Sequence, residues 1–296
     1  MKSKLLLLLA AAIMMCGCEK PIVGEVLDDE VDEEEIEALT KKFTFTMKGD
    51  FTSATFKRAA GYLQADGRDM TDVWVLDYMN GELVQQIHQG DNTAEDFGKP
   101  VMQLAYGAHH VYFVASRGTA PTLNVDEHSI VWEKPSDTFW KDYEVNVVST
   151  SNGNRAVTLD RVATKLRIAV NDEIPDNAAV MAITPSNWYY GLNYTTGAAV
   201  ASSGASRTVD IPNSLHGTTG ELAMTIFGLS GADEWTTDVS VVVYDANSVV
   251  LGSASIVGAP FMRNRSTEYS GNLFTSGSRT NLSLNETWTT AHIGTW

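Results

Sequence analysis

Apolar and polar residues alternate with a period of two along most of the chain beyond residue 40, and that period predicts strands. Phe43-Thr44-Phe45-Thr46-Met47 alternates strictly. Val73-Trp74-Val75-Leu76-Asp77 leads through Asn80-Gly81 into Leu83-Val84, which reads as a hairpin with its turn residues in place. The apolar run Val111-Tyr112-Phe113-Val114-Ala115 fits a strand buried on both faces. Further strands are expected over 139–148, 156–159, 166–170, 178–184, 188–194, 221–227, 239–244, 249–257, 265–274 and 280–284. Helical periodicity is nearly absent outside the acidic segment near residue 30. Many short strands at turn-punctuated spacing predict an all-β fold of sandwich domains.

The polar, proline-containing stretch Asn171-Asp172-Glu173-Ile174-Pro175-Asp176-Asn177 follows one of these strands and reads as a linking turn. It divides the folded part into residues 39–171 and 172–296, an N-terminal and a C-terminal β-sandwich. No short-period repeat is visible.

The first residues follow a different pattern. Lys2 and Lys4 precede eleven apolar residues, Leu5 to Met15, too few for a membrane span of roughly 20 but suited to a secretory signal. The run ends at Met15-Cys16-Gly17-Cys18, which resembles the bacterial lipoprotein box, a small residue placed directly before a cysteine that becomes acylated. Cleavage after Gly17 makes residues 1–17 the signal peptide and Cys18 the lipidated first residue. Cys16 fits less well, because the bulky Met15 would stand at its cleavage position. The chain has two cysteines. Cleavage discards one and the lipid occupies the other, leaving no thiol for a disulfide or for redox chemistry.

Residues 18–38 then read as a tether. Eight of the ten residues from Asp28 to Glu37 are acidic, half of a formal net charge of −16, and such a block repels itself and stays solvated. A short acidic stretch after a lipid cysteine also resembles the surface-export signal of Bacteroidales lipoproteins; a plain spacer is the alternative. So acidic a chain is a poor partner for nucleic acid.

Motifs for catalysis are missing. Gly228-Leu229-Ser230-Gly231-Ala232 fails the serine-hydrolase pattern at its last position and precedes no helix. His109 and His110 are adjacent, so a strand points them to opposite faces, and the other four histidines are scattered. No metal site and no cofactor are expected, and the chain reads as not an enzyme. The aromatic cluster Trp188-Tyr189-Tyr190, with Trp132, Trp140 and Trp235 in turn-rich surroundings, reads first as core and second as a sugar or protein contact surface.

Several stretches fall in a recognisable order. They are Cys18, the tether, Val73–Asp77 with Gly81–Val84, Tyr106–Phe113, Leu159–Leu166, and the run Phe261-Met262-Arg263-Asn264-Arg265-Ser266-Thr267-Glu268-Tyr269-Ser270-Gly271-Asn272-Leu273-Phe274. Together these resemble the Bacteroidales fimbrillin superfamily, the type V pilus subunits and their minor or anchor relatives, over residues 40–290. The resemblance implies two tandem transthyretin-like β-sandwich domains and assembly with other fimbrial subunits by strand donation. It implies that an Arg-specific protease can remove the strand Phe43–Met47, with Arg58 in Lys57-Arg58-Ala59-Ala60 as the candidate maturation site. The donor would come from Thr280–Trp288 and the residues after it. An anchor subunit would omit cleavage and keep its lipid in the outer membrane, and the hairpin and C-terminal motifs look closer to that branch. A host or bacterial surface ligand is a further expected partner. The alternative is a surface glycan-binding lipoprotein.

Overall fold

Strands that alternate must find a partner for each edge and a cover for each apolar face. The computed structural model describes residues 39–49, 70–204, 206–274, 283 and 284, and nearly all of them lie in strands or in the turns between strands. In chain order these are β1 (Thr40–Gly49), β2 (Asp72–Met79), β3 (Glu82–Gln89), β4 (Val101–Ala105), β5 (Gly107–Ser116), β6 (Thr119–Asn124) and β7 (Ser129–Lys134). There follow β8 (Thr138–Val147), β9 (Asn154–Arg161), β10 (Ala163–Val170), β11 (Ala178–Pro185), β12 (Trp188–Asn193), β13 (Ala198–Ser203) and β14 (Arg207–Asp210). The series ends with β15 (Leu222–Leu229), β16 (Trp235–Asp245), β17 (Val250–Phe261), β18 (Ser266–Gly271) and β19 (Ser283–Leu284). A single turn of 3-10 helix, Asn213–Leu215, precedes β15. No helix among the described residues is long and apolar enough to cross a membrane.

The described residues group into two units, one of 39–49, 70–117 and 139–160, the other of 118–138 and the residues from 161 onward. The first unit is built on a seven-stranded sheet, ordered β3-β2-β5-β8-β9-β1-β4. Its β2–β3 hairpin turns on Asn80 and Gly81, both at positive φ, as a two-residue turn demands. The sheet coils on itself. Phe45 on β1 and Phe113 on β5 stand three strand spacings apart in that order, about 14 Å on a flat sheet, yet their ring centroids are 5.1 Å apart.

The second unit holds three four-stranded sheets: β15-β10-β18-β19, β14-β11-β16-β17 and β13-β12-β7-β6. The first two enclose one core. Leu166, Ile168, Val170, Met224, Ile226 and Tyr269 meet Met181, Ile183, Val239, Val241, Val243 and Ile256 across it. This is a sandwich of two sheets, each giving its alternate residues to the interior. The third sheet takes β6 and β7 from residues 118–138, with β7 paired antiparallel to β12 through Val131↔Gly191 and Ile130↔Leu192.

Candidate functional site

β1 is the first of the described strands. It lies inside the sheet, antiparallel to β4 from Thr40↔Ala105 to Thr44↔Val101 and parallel to β9 from Thr44↔Asn154 to Gly49↔Leu159. Beyond β4 its ladder continues on loop carbonyls: Phe45 N–H donates to Pro100 O at 3.0 Å and Met47 N–H to Gly98 O at 3.0 Å.

The alternating side chains have one inward face. Phe43, Phe45 and Met47 are fully buried, beside Met102 and Leu104 of β4 and Val157 and Leu159 of β9. Phe45 meets Phe113 and Tyr143 edge-on, at 5.1 and 5.9 Å. The Arg155 guanidinium stands 5.6 Å from the centre of the Phe43 ring, within reach of its negative face. Where β1 meets β9 the backbones nearly touch, for a Cβ on Gly153 would lie 2.2 Å from the Lys42 carbonyl oxygen. Taking β1 away would leave two unpaired strand edges and a trough lined by apolar side chains.

Residues 161–166 of the stretch 159–166, and the stretch 261–274, which carry much of the sequence resemblance, are brought together in the second unit. β10 and β18 run parallel, from Lys165↔Ser266 to Val170↔Gly271. Asn264 N–H donates to Ala163 O at 2.7 Å, and Lys165 N–H to Arg265 O at 3.1 Å. At the head of this seam the buried Arg161 donates through Nε to Asp137 Oδ1 at 2.8 Å and through Nη1 to Asn264 Oδ1 at 2.9 Å. Arg167 pairs with Glu268 farther along.

Burial is the main cause that pushes the Lys165 ammonium down to about 8. Asp137 and Glu268 oppose the shift; Arg161 and Arg167 add to it. At the far end both Asp172 carboxylate oxygens accept from Leu273 N–H at 3.0 Å, and one accepts from Phe274 N–H at 2.6 Å. β19 pairs antiparallel to β18 through Tyr269↔Leu284 and Ser270↔Ser283.

The adjacent histidines do point to opposite faces. His109 is buried; its Nε2 donates to Ala105 O at 2.9 Å and its Nδ1 faces Asp77 Oδ1 at 2.8 Å. A carbonyl can only accept, so Nε2 carries a proton and a second one is shared with Asp77. Burial pulls the His109 value down, but the Asp77 hydrogen bond and charge, with the Ala105 carbonyl, outweigh it and leave the value raised. Asp77 is raised too, because burial outweighs its contacts with His109. His110 is exposed and faces Asp142.

Trp188 belongs to the core of the second unit. It is 2% exposed, donates its indole N–H to Phe227 O at 2.8 Å and packs edge-on against Phe261. Tyr189 leans half-buried on Trp235. Trp132, Trp140 and Trp235 stand on β7, β8 and β16, and Trp132 is buried. Cys18, Gly17 and Arg58 lie outside the described residues, as does the expected donor segment apart from Ser283 and Leu284.

No protein-family model matches the chain, and no curated protein matches it. Solved structures do. A candidate adhesin from Bacteroides ovatus ATCC 8483 superposes with a TM-score of 0.50 at 11% identity, over 79% of this chain and 88% of its own. A second structure of a candidate adhesin from Bacteroides ovatus gives 0.50 at 11% identity, over 83% and 97%. The chain shares their fold. The fimbrial anchor protein of Porphyromonas gingivalis also superposes, with a TM-score of 0.45 at 9% identity, over 79% of this chain and 91% of that one.

Proposed function

We propose that the chain is a surface-anchored fimbrial subunit, of the anchor or minor kind, that joins its neighbours by exchanging a β-strand and supports adhesion. The observation that carries this reading is β1: an N-terminal strand held between two others, with three fully buried side chains and a chain entry that follows the tether directly. Such a strand is a plug. Its removal, which an anchor subunit would omit, would create the acceptor for a donated strand, whose backbone groups would satisfy the freed edges while alternate apolar side chains refill the trough.

Two further features support the reading. The lipoprotein-box resemblance at Gly17–Cys18 and the acidic tether suit a protein held at the outer membrane with its folded part outside. The fold is shared with two Bacteroides ovatus proteins described as candidate adhesins. The glycan-binding alternative has less to stand on, since Trp188, the leading residue of its cluster, is sealed in a core.

N-terminal sequencing of the protein taken from cell surfaces tests the anchor role. A blocked, acylated Cys18 is expected. A free start at Ala59 would make the chain a shaft or tip subunit, and an intact signal peptide with no surface exposure would end the fimbrial reading.

A further inference from the structure

On the solvent face of the first unit's sheet, β5 and β8 lie side by side. His110 projects from β5; Asp142 and Glu144, two residues apart on β8, project from the same face, while Tyr143 between them turns inward to Phe45 and Phe113. One ligand atom from each of the three lies within 4.8 Å of the others. His110 Nδ1 is 3.1 and 3.3 Å from the two Asp142 oxygens, so both address one nitrogen. The imidazole lies nearly parallel to the Tyr112 ring, at 6.0 Å and 20°.

A second observation concerns charge. Among the described residues neither carboxylate is ion-paired with a lysine or arginine, and Asp142 has only the exposed His110. Two uncompensated negative groups on one strand face repel each other, and a cation placed between them and the imidazole would remove that repulsion.

We propose that His110, Asp142 and Glu144 form a surface site for a divalent transition-metal ion of the zinc type. One imidazole nitrogen with two carboxylate oxygens suits zinc, whereas calcium and magnesium take oxygen alone. Bonds of about 2.0–2.2 Å in tetrahedral array put donors about 3.3 Å apart. His110 and Asp142 already stand at about that separation, so Glu144 has at most roughly 1.5 Å to close, a movement that solvent-facing rotamers allow. The fourth position faces water, so the bound ion keeps an exchangeable site for water or for a carboxylate from outside the chain. This site does not depend on strand exchange.

Isothermal titration of the full chain with zinc chloride at pH 7 tests it. The expected result is one zinc per chain, weakened at least tenfold in His110→Ala and in the Asp142→Asn, Glu144→Gln double variant. His110→Gln, which keeps a similar bulk, repeats the measurement should the alanine variant lose its circular dichroism signal. Calcium chloride should show no binding that depends on His110. Zinc bound equally by the wild type and the histidine variants, no zinc uptake at all, or calcium binding that His110→Ala abolishes would each overturn the proposal.

Discussion

Phe45 shows how much one ring carries. It touches Phe43, Phe113 and Tyr143 and is fully buried, so Phe45→Ala is expected to destabilise the first unit by about 3–5 kcal/mol in urea unfolding. Ion pairs divide by burial in the same way. Arg161 and Asp137 have side chains only 7% and 4% exposed. Asp137→Ala strands a buried guanidinium and should cost about 3–5 kcal/mol. Lys141 and Asp160 are 38% and 50% exposed, and Lys141→Ala should change stability by less than about 1 kcal/mol.

The His109–Asp77 pair adds a dependence on pH. The native value of His109 is raised above its ordinary 6.5. Its stabilising contribution is therefore complete below pH 6.5 and fades as pH climbs through the raised value. The stability gap between wild type and His109→Gln, followed by urea unfolding from pH 6 upward, should narrow. A gap that widens over that range would contradict the assigned proton.

At the scale of elements the central object is β1. A Cβ at position 153 would press on the Lys42 carbonyl. Gly153→Ala should therefore loosen the β1–β9 pairing, and amide exchange at Thr44, whose N–H donates to Gly153 O at 2.7 Å, should speed up while β10 amides stay protected. Strict alternation made β1 legible in the sequence, as it did the β2–β3 hairpin and the core strands β10, β11, β15 and β16. Strands without a sequence signal were mostly the sheet edges β4, β6, β13 and β14. An edge strand needs fewer apolar residues, and β6 even tolerates Pro121, which an edge can hold without losing an inner rung. The pairing of β7 with β12 was not legible either, because nothing in residues 118–138 states which partner they choose. His110, Asp142 and Glu144 escaped for the same reason: 32 and 34 positions separate them, and only the β5–β8 neighbourhood joins them.

For the whole molecule, strand exchange requires that β1 be a replaceable plug and that the C-terminal segment be a donor. Asp172 fixes the chain at Leu273 and Phe274, so a donor arm would begin just after a firmly held point. The most direct test is the size of the species formed by the chain once an Arg-specific protease has cut it after Arg58, followed by size-exclusion chromatography with light scattering over a range of concentrations. The account predicts oligomers that grow with concentration, disappear when residues 285–296 are deleted, and are suppressed by an added peptide of residues 40–49. A cut chain that stays folded and monomeric at every concentration would contradict it.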